Sequence, residues 1–121
     1  VLYIGSQDRD QLATMLRGAV LLLNPSRSET YGLINLEASA SGVPVVATRT
    51  GGMVESVVDG VTGVLLDSRD PQVWAAAVLD FLVDEDRRAR FGRAGREFAG
   101  QRSWDVVGAE LEAVYRREVR R

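Results

Sequence analysis

Short apolar runs and amphipathic stretches alternate along the first half of the chain. A polar or glycine-containing turn follows each apolar run, and the runs cover residues 1–4, 20–23, 43–47 and 63–66. Residues 8–17 and 32–41, which lie between them, carry apolar side chains at helical spacing. Strands that are apolar throughout are typical of a parallel sheet with both faces covered. We therefore predict a partial, Rossmann-like parallel sheet of about four strands with helices on both faces.

Beyond residue 67 the pattern is helical only. Residues 71–83 begin with a proline, which suits the first turn of a helix, and place Trp74, Val78 and Leu82 on one stripe. Two more helices are predicted over 84–99 and 104–119. No linker or repeat interrupts the chain, so we predict one α/β domain over residues 1–121 with a helical C-terminal tail.

Composition removes several classes of chemistry. The 121 residues include neither Cys nor His, which excludes disulfides, the usual zinc sites and any Ser-His or Cys-His relay within the chain. The formal net charge of −2 argues against nucleic acid as a partner. No signal peptide is readable and no apolar run reaches membrane-spanning length, so a cytoplasmic location is expected.

The stretch 24–46 is where chemistry is expected. A strand ends there, a serine-rich loop follows, and a helix begins near Gly32. Ligands of open α/β sheets bind beyond the carboxyl ends of the strands, and free N–H groups at a helix start attract phosphate. The competing interpretation is an ordinary helix start with a glycine in the turn.

Glu37 is unusual because its neighbours on the predicted helix are small or apolar: Leu33, Ile34, Ala40 and Ser41. A carboxylate on such a face needs partners, because burying an unpaired charge is unfavourable. We predict that Glu37 faces the same cleft as the Gly32 helix start, where it can accept hydrogen bonds from a ribose diol. The alternative is an internal salt bridge to an arginine.

Glu29 lies eight residues before Glu37, and the segment 29–37 reads E-T-Y-G-L-I-N-L-E. This segment resembles the E-x7-E motif of retaining nucleotide-sugar glycosyltransferases of the two-domain GT-B architecture, especially glycosyltransferase family 4. Residues 38–48 and 51–67 resemble the next blocks of that family, so the resemblance covers most of residues 1–80. The segment 7–13 is similar to members that transfer N-acetylglucosamine to inositol phosphate.

The resemblance implies a role for each matched position. Glu37 would bind the ribose hydroxyls of the nucleotide, and Glu29, the catalytic candidate, would contact hydroxyls of the donor sugar. Backbone N–H groups of Gly32, Leu33 and Ile34 would bind the diphosphate. Thr30 and Tyr31 would lie beside sugar and phosphate, and residues 5–7 near the base.

The resemblance also implies what the whole site does. The chain would be the latter part of the C-terminal donor-binding domain, and the enzyme would transfer a hexosyl group from a nucleoside-diphosphate sugar with retention. Two β-α units that supply an Arg and a Lys, and the acceptor domain before them, are not in the sequence, so no turnover is expected from it alone. No cofactor and no metal are expected. The alternatives are a non-catalytic nucleotide-binding or interaction module and part of a GT-B-type nucleotide-sugar epimerase.

Two charged segments have simpler interpretations than their motifs suggest. Asp8-Arg9-Asp10 has the D-x-D form of a metal site, but at a helix start it favours capping. The basic end, residues 116–121, could attract anionic lipid, but cations at a helix C-terminus are the favoured interpretation.

The predicted strand order leaves a gap in the sheet. In the order 3-2-1-4-5-6, the strands at 1–4 and 20–23 are separated by two strands that the sequence does not supply. Unpaired edges tend to pair with other chains. We expect self-association, strand exchange or a rearranged sheet, unless the sequence is part of a longer chain.

Overall fold

A computed structural model describes residues 1–120. Its sheet has three parallel strands in the order β1 (Leu22–Asn24), β2 (Val45–Thr48) and β3 (Gly63–Leu66). Leu22 lies opposite Val45, which in turn lies opposite Gly63. The parallel α/β arrangement predicted from the apolar runs is therefore present.

Six helices surround this sheet. They are α1 (Arg9–Gly18), α2 (Leu33–Ala40), α3 (Met53–Ser56), α4 (Pro71–Val83), α5 (Glu85–Gly100) and α6 (Trp104–Val119). The predicted helical C-terminal tail is confirmed by the last three of them.

The central strand explains why the apolar runs do not alternate. Val45 and Ala47 belong to a core shared with α1, α2 and α3, whereas Val46 points to the other face, against Phe81 of α4 and Phe91 of α5. Both aromatic rings pack edge to face, with centroids 5.1 Å apart. Because successive strand side chains enter opposite cores, both sets must be apolar.

The prediction of a fourth strand at residues 1–4 is wrong. These residues are not part of the sheet, and Tyr3 is 93% exposed. A strand forms only when another strand supplies hydrogen-bond partners, and none of the described residues does so for this segment. Because residues 1–4 form no strand, the predicted strand order is not tested by this sheet. Self-association through the edge of β1 stays a prediction.

The helices differ in how far they are buried. α5 packs closely against α2, and α4 contacts α5. In contrast, α6 has no buried residue, and Trp104 at its start is 82% exposed. Across residues 1–120, no helix combines the length and the apolar character needed to cross a membrane.

Candidate functional site

The start of α2 lies directly after the loop that leaves β1. Gly32 precedes the helix with φ 78° and ψ 53°, in the left-handed region, and no side chain caps the helix. Among residues 1–120, no hydrogen-bond partner is found for the backbone N–H groups of Leu33 and Ile34. Open N–H groups at a helix start carry partial positive charge and favour an anion.

A glycine turn after β2 holds the loop that precedes α2. The N–H of Gly52 donates to the carbonyl of Glu29 at 3.0 Å. A Cβ at Gly52 would lie 2.1 Å from the carbonyl oxygen of Thr30 and 2.3 Å from the Cα of Tyr31. Gly52 has an ordinary helical φ of −69°, so glycine is needed here for close backbone approach rather than for conformation.

A buried polar cluster lies beneath the same turn. Asn24 donates to the side-chain oxygen of Asn35 at 3.0 Å, and the Asn35 amide nitrogen lies 3.0 Å from both Ser56 Oγ and Met53 Sδ. Asn35 and Ser56 are fully buried. Sequence reasoning missed this cluster, although an asparagine in the largely apolar segment 33–40 was a signal for it.

Glu37 lies half-buried in a groove between α1 and α2. The groove has a volume of about 200 Å³, and Arg9, Leu12 and Leu16 line it together with Glu37. Within the described residues Glu37 makes no ion pair with an arginine, so the alternative of an internal salt bridge is absent. That Glu37 shares one cleft with Gly32 stays a prediction.

The remaining predicted positions lie outside the lining of this groove. Glu29 is half-buried in the loop, and its carboxylate accepts a hydrogen bond from the Thr30 N–H at 3.1 Å. Thr30 is exposed and Tyr31 half-buried. Residues 5–7 come immediately before Asp8, the cap of α1, and their place near the base stays a prediction.

A cavity larger than this groove lies on the α4 side of the sheet. It has a volume of about 490 Å³ beside the carboxyl ends of the strands and the start of α4. Its lining includes Arg27, Arg69 and Trp74 but none of the predicted site residues. Of the predicted site residues, Glu37 lines the smaller groove between α1 and α2, whereas Glu29 and the open helix start line neither of these two cavities.

An ion-pair network joins the ends of β2 and β3. Asp59 accepts hydrogen bonds from the Leu65 N–H at 3.0 Å and from Arg49 at 2.6 Å, and Arg49 also reaches Asp67 at 3.3 Å. The backbone N–H of Leu65, followed by Arg49, lowers the pKa of Asp59. The network thus fixes the strand ends from which the glycine turn starts.

The D-x-D segment caps α1. The Asp8 carboxylate accepts from the Gln11 N–H at 2.9 Å, and the Gln11 side chain accepts from the Asp8 N–H at 3.0 Å. This reciprocal capping box confirms the interpretation that the acidic residues serve the helix.

Fold and site together define an α/β protein whose open helix start lies at the carboxyl end of a parallel strand. Residues 1–98 match the family described as "Glycosyl transferases group 1", and the chain belongs to that family. The match ends within α5, so α6 lies outside it.

A curated relative supports the same assignment. The protein named D-inositol 3-phosphate glycosyltransferase from Corynebacterium diphtheriae is 40% identical over 115 residues, which cover 95% of this chain. Those residues make up 27% of the relative. The chain therefore spans roughly a quarter of the length of this relative.

Solved structures share the fold. Sucrose-phosphate synthase from Thermosynechococcus elongatus superposes with a TM-score of 0.88 at 29% identity, covering 98% of this chain and 30% of that one. Anabaena HepE in complex with UDP-glucose gives a TM-score of 0.77 at 27% identity, covering 92% of this chain and 30% of that one. The predicted fold class, an α/β part of the GT-B fold, is confirmed by these likenesses.

Proposed function

We propose that this chain is the latter part of the C-terminal donor-binding domain of a retaining family 4 glycosyltransferase, and that it binds a nucleoside-diphosphate sugar. The observation that carries the proposal is the open N-terminus of α2 inside the segment 29–37. In a chain of this family, an uncapped helix start beyond a strand end is suited to the donor diphosphate.

Each motif residue then has a role that its chemistry allows. The N–H groups of Gly32, Leu33 and Ile34 would donate to the diphosphate. Glu37 has two carboxylate oxygens and makes no ion pair with an arginine among residues 1–120, so it can accept from both ribose hydroxyls.

The loop before α2 would contact the sugar. The carboxylate of Glu29 would accept from its hydroxyls, with Thr30 and Tyr31 beside sugar and phosphate. Residues 5–7 would lie near the base. In a retaining transfer, positive charge develops at the anomeric carbon while the diphosphate leaves, and donors at the helix start stabilise the leaving group. No metal or cofactor is needed for this role.

The relatives support one class of donor and one class of acceptor. HepE was solved with UDP-glucose, which supports a uridine diphosphate hexose as donor for this chain. The Corynebacterium relative is named for D-inositol 3-phosphate, which supports a phosphorylated polyol as acceptor of the whole enzyme. Because the chain spans 27% of that relative, an acceptor domain and further groups on the diphosphate would come from other parts of the protein, and the chain alone would not turn over. A cytoplasmic location fits a nucleotide-sugar donor.

Calorimetric titration with UDP tests the proposal. Glu37→Gln keeps the size of the side chain but removes the charge that two ribose hydroxyls would share, so the affinity should fall by about tenfold. Glu110→Gln, on the exposed face of α6, is the matched control and should bind like the unmodified chain. Equal affinities for all three proteins would contradict the role of Glu37, and absence of UDP binding by the unmodified chain would contradict the proposal.

A further inference from the structure

We infer that Asn35 is a positioning residue that holds the turn at the start of α2 in its donor-binding shape. Asn35 acts through hydrogen bonds to Asn24, Met53 and Ser56. This inference rests on the proposed function, because the turn it holds is the proposed diphosphate site.

The side-chain amide of Asn35 uses both of its N–H donors and accepts one hydrogen bond at its oxygen. Its oxygen accepts from Asn24, and its nitrogen, which has two hydrogens, lies 3.0 Å from Ser56 Oγ and 3.0 Å from Met53 Sδ. The side chain is fully buried, so water cannot replace these partners. One residue thereby joins the end of β1, the first turn of α2 and the short helix α3.

The helix start rests directly on this cluster. A Cβ at Gly32 would lie 2.7 Å from the Asn35 amide nitrogen, 3.0 Å from Ser56 Oγ and 3.1 Å from Met53 Sδ. The N–H of Asn35 also donates to the carbonyl of Gly32 at 2.9 Å. A movement of the cluster would therefore move the Gly32 backbone, which immediately precedes the open N–H groups of Leu33 and Ile34.

The loop before the turn is held from a second direction. Gly52, which precedes α3, closely approaches the backbone of Thr30 and Tyr31, and Ser56 of α3 accepts from Asn35 in the first turn of α2. A purely apolar core would fill the same space without fixing hydrogen-bonding partners, whereas a satisfied buried polar cluster allows one arrangement only. The cluster therefore sets the shape of the turn, beyond its part in stability.

Two serine-to-alanine variants separate positioning from general stability. Ser56 belongs to the cluster, whereas Ser39 is equally buried but its hydroxyl has no partner within the described residues. Both variants remove one buried hydroxyl. Ser56→Ala leaves an Asn35 donor unpaired, and Ser39→Ala leaves no group unpaired.

The readouts are amide exchange and UDP affinity, measured well below the melting temperature of every variant. In Ser56→Ala, the N–H groups of Asn35 and Gly52 should exchange about tenfold faster, measured relative to the N–H of Val73 in α4. These two N–H groups close the turn. The UDP affinity of the variant should fall by about threefold or more. Ser39→Ala should change neither quantity. Asn35→Asp keeps the shape of the side chain but loses both donors, so it should give the larger effect. If Asn35→Asp does not fold, Ser56→Ala still tests whether the cluster positions the turn.

The outcomes distinguish this inference from the proposed function. Equal exchange in the two serine variants, or faster exchange in Ser56→Ala without any loss of UDP affinity, would overturn the positioning role of Asn35. Failure of the unmodified chain to bind UDP would overturn the proposed function, whereas the exchange data would still show whether the cluster holds the turn.

Discussion

The first N–H groups of a helix have no acceptor within the helix, and the starts of α2 and α4 differ in how these groups are satisfied. At α4, the Asp70 carboxylate accepts from the Gln72 N–H at 2.9 Å, and Pro71 occupies the first helical position. At α2, the residue in the capping position is Gly32, and no side chain accepts from the helix. Side chains also cap α1, α5 and α6.

A capped helix start stabilises the helix, whereas an uncapped start can bind a ligand. A capped helix start satisfies its own N–H groups and gains about 1 kcal/mol. An open one leaves those groups for an anion, and it must be held by other contacts. At α2 those contacts are the close backbone approach of Gly52 and the buried cluster around Asn35.

The largest effect is expected for Gly52→Ala. The added Cβ would overlap the backbone of Thr30 and Tyr31, which cannot move aside as a flexible side chain could. The free energy of unfolding should fall by about 3 kcal/mol, the upper end for overpacking. Urea unfolding measures this change.

Gly108→Ala is the control for this variant. Gly108 lies within α6 with open space around it, so alanine should leave stability unchanged or raise it by up to about 1 kcal/mol. If Gly52→Ala were as stable as Gly108→Ala, the claim that the glycine turn holds the α2 start would be wrong.

An intermediate effect is expected for Asp70→Ala. Loss of the cap should reduce the free energy of unfolding by about 1 kcal/mol, because the Gln72 N–H loses its acceptor. UDP affinity should not change. Asp80→Ala, in the same helix but far from its start, should have little effect on either quantity, and a loss of UDP binding in Asp70→Ala would place the ligand at α4 instead.

The smallest effect is expected for Asp59→Asn, and it depends on pH. Folding lowers the pKa of Asp59, so its carboxylate stabilises the folded state above the ordinary value of about 4 and loses that contribution as the pH falls through the folded pKa. Because the pair with Arg49 is partly exposed, the loss at about pH 7 should be under 1 kcal/mol. The difference in stability between the variant and the unmodified chain should shrink as the pH falls below about 4, and a difference that does not change with pH would contradict the lowered pKa.

Local patterns account for what the sequence predicted correctly. Uninterrupted apolar runs predicted the three paired strands, and Asp8 with Gln11 formed the expected cap. The strand at residues 1–4 failed because strand formation needs a partner, which no local pattern reveals. The Asn35 cluster and the Gly52 contact were not predicted either, because both join segments that are far apart in the chain.

The position of the helix start was predicted, whereas a neighbouring cavity was not. The open helix start at Gly32 was expected from the loop and the glycine. The larger cavity beside Arg27, Arg69 and Trp74 was not, because its lining comes from the ends of several elements and from α4. Only packing brings these residues together.

The most direct test follows individual backbone N–H groups by NMR while UDP is added to the chain. The account predicts progressive shifts at Gly32, Leu33 and Ile34, with those of Gln72 and Val73 at the capped start of α4 unchanged. Shifts confined to the α4 start and the cavity beside Arg27 and Arg69, or none at Gly32 to Ile34, would contradict the assignment of the open α2 start as the diphosphate site.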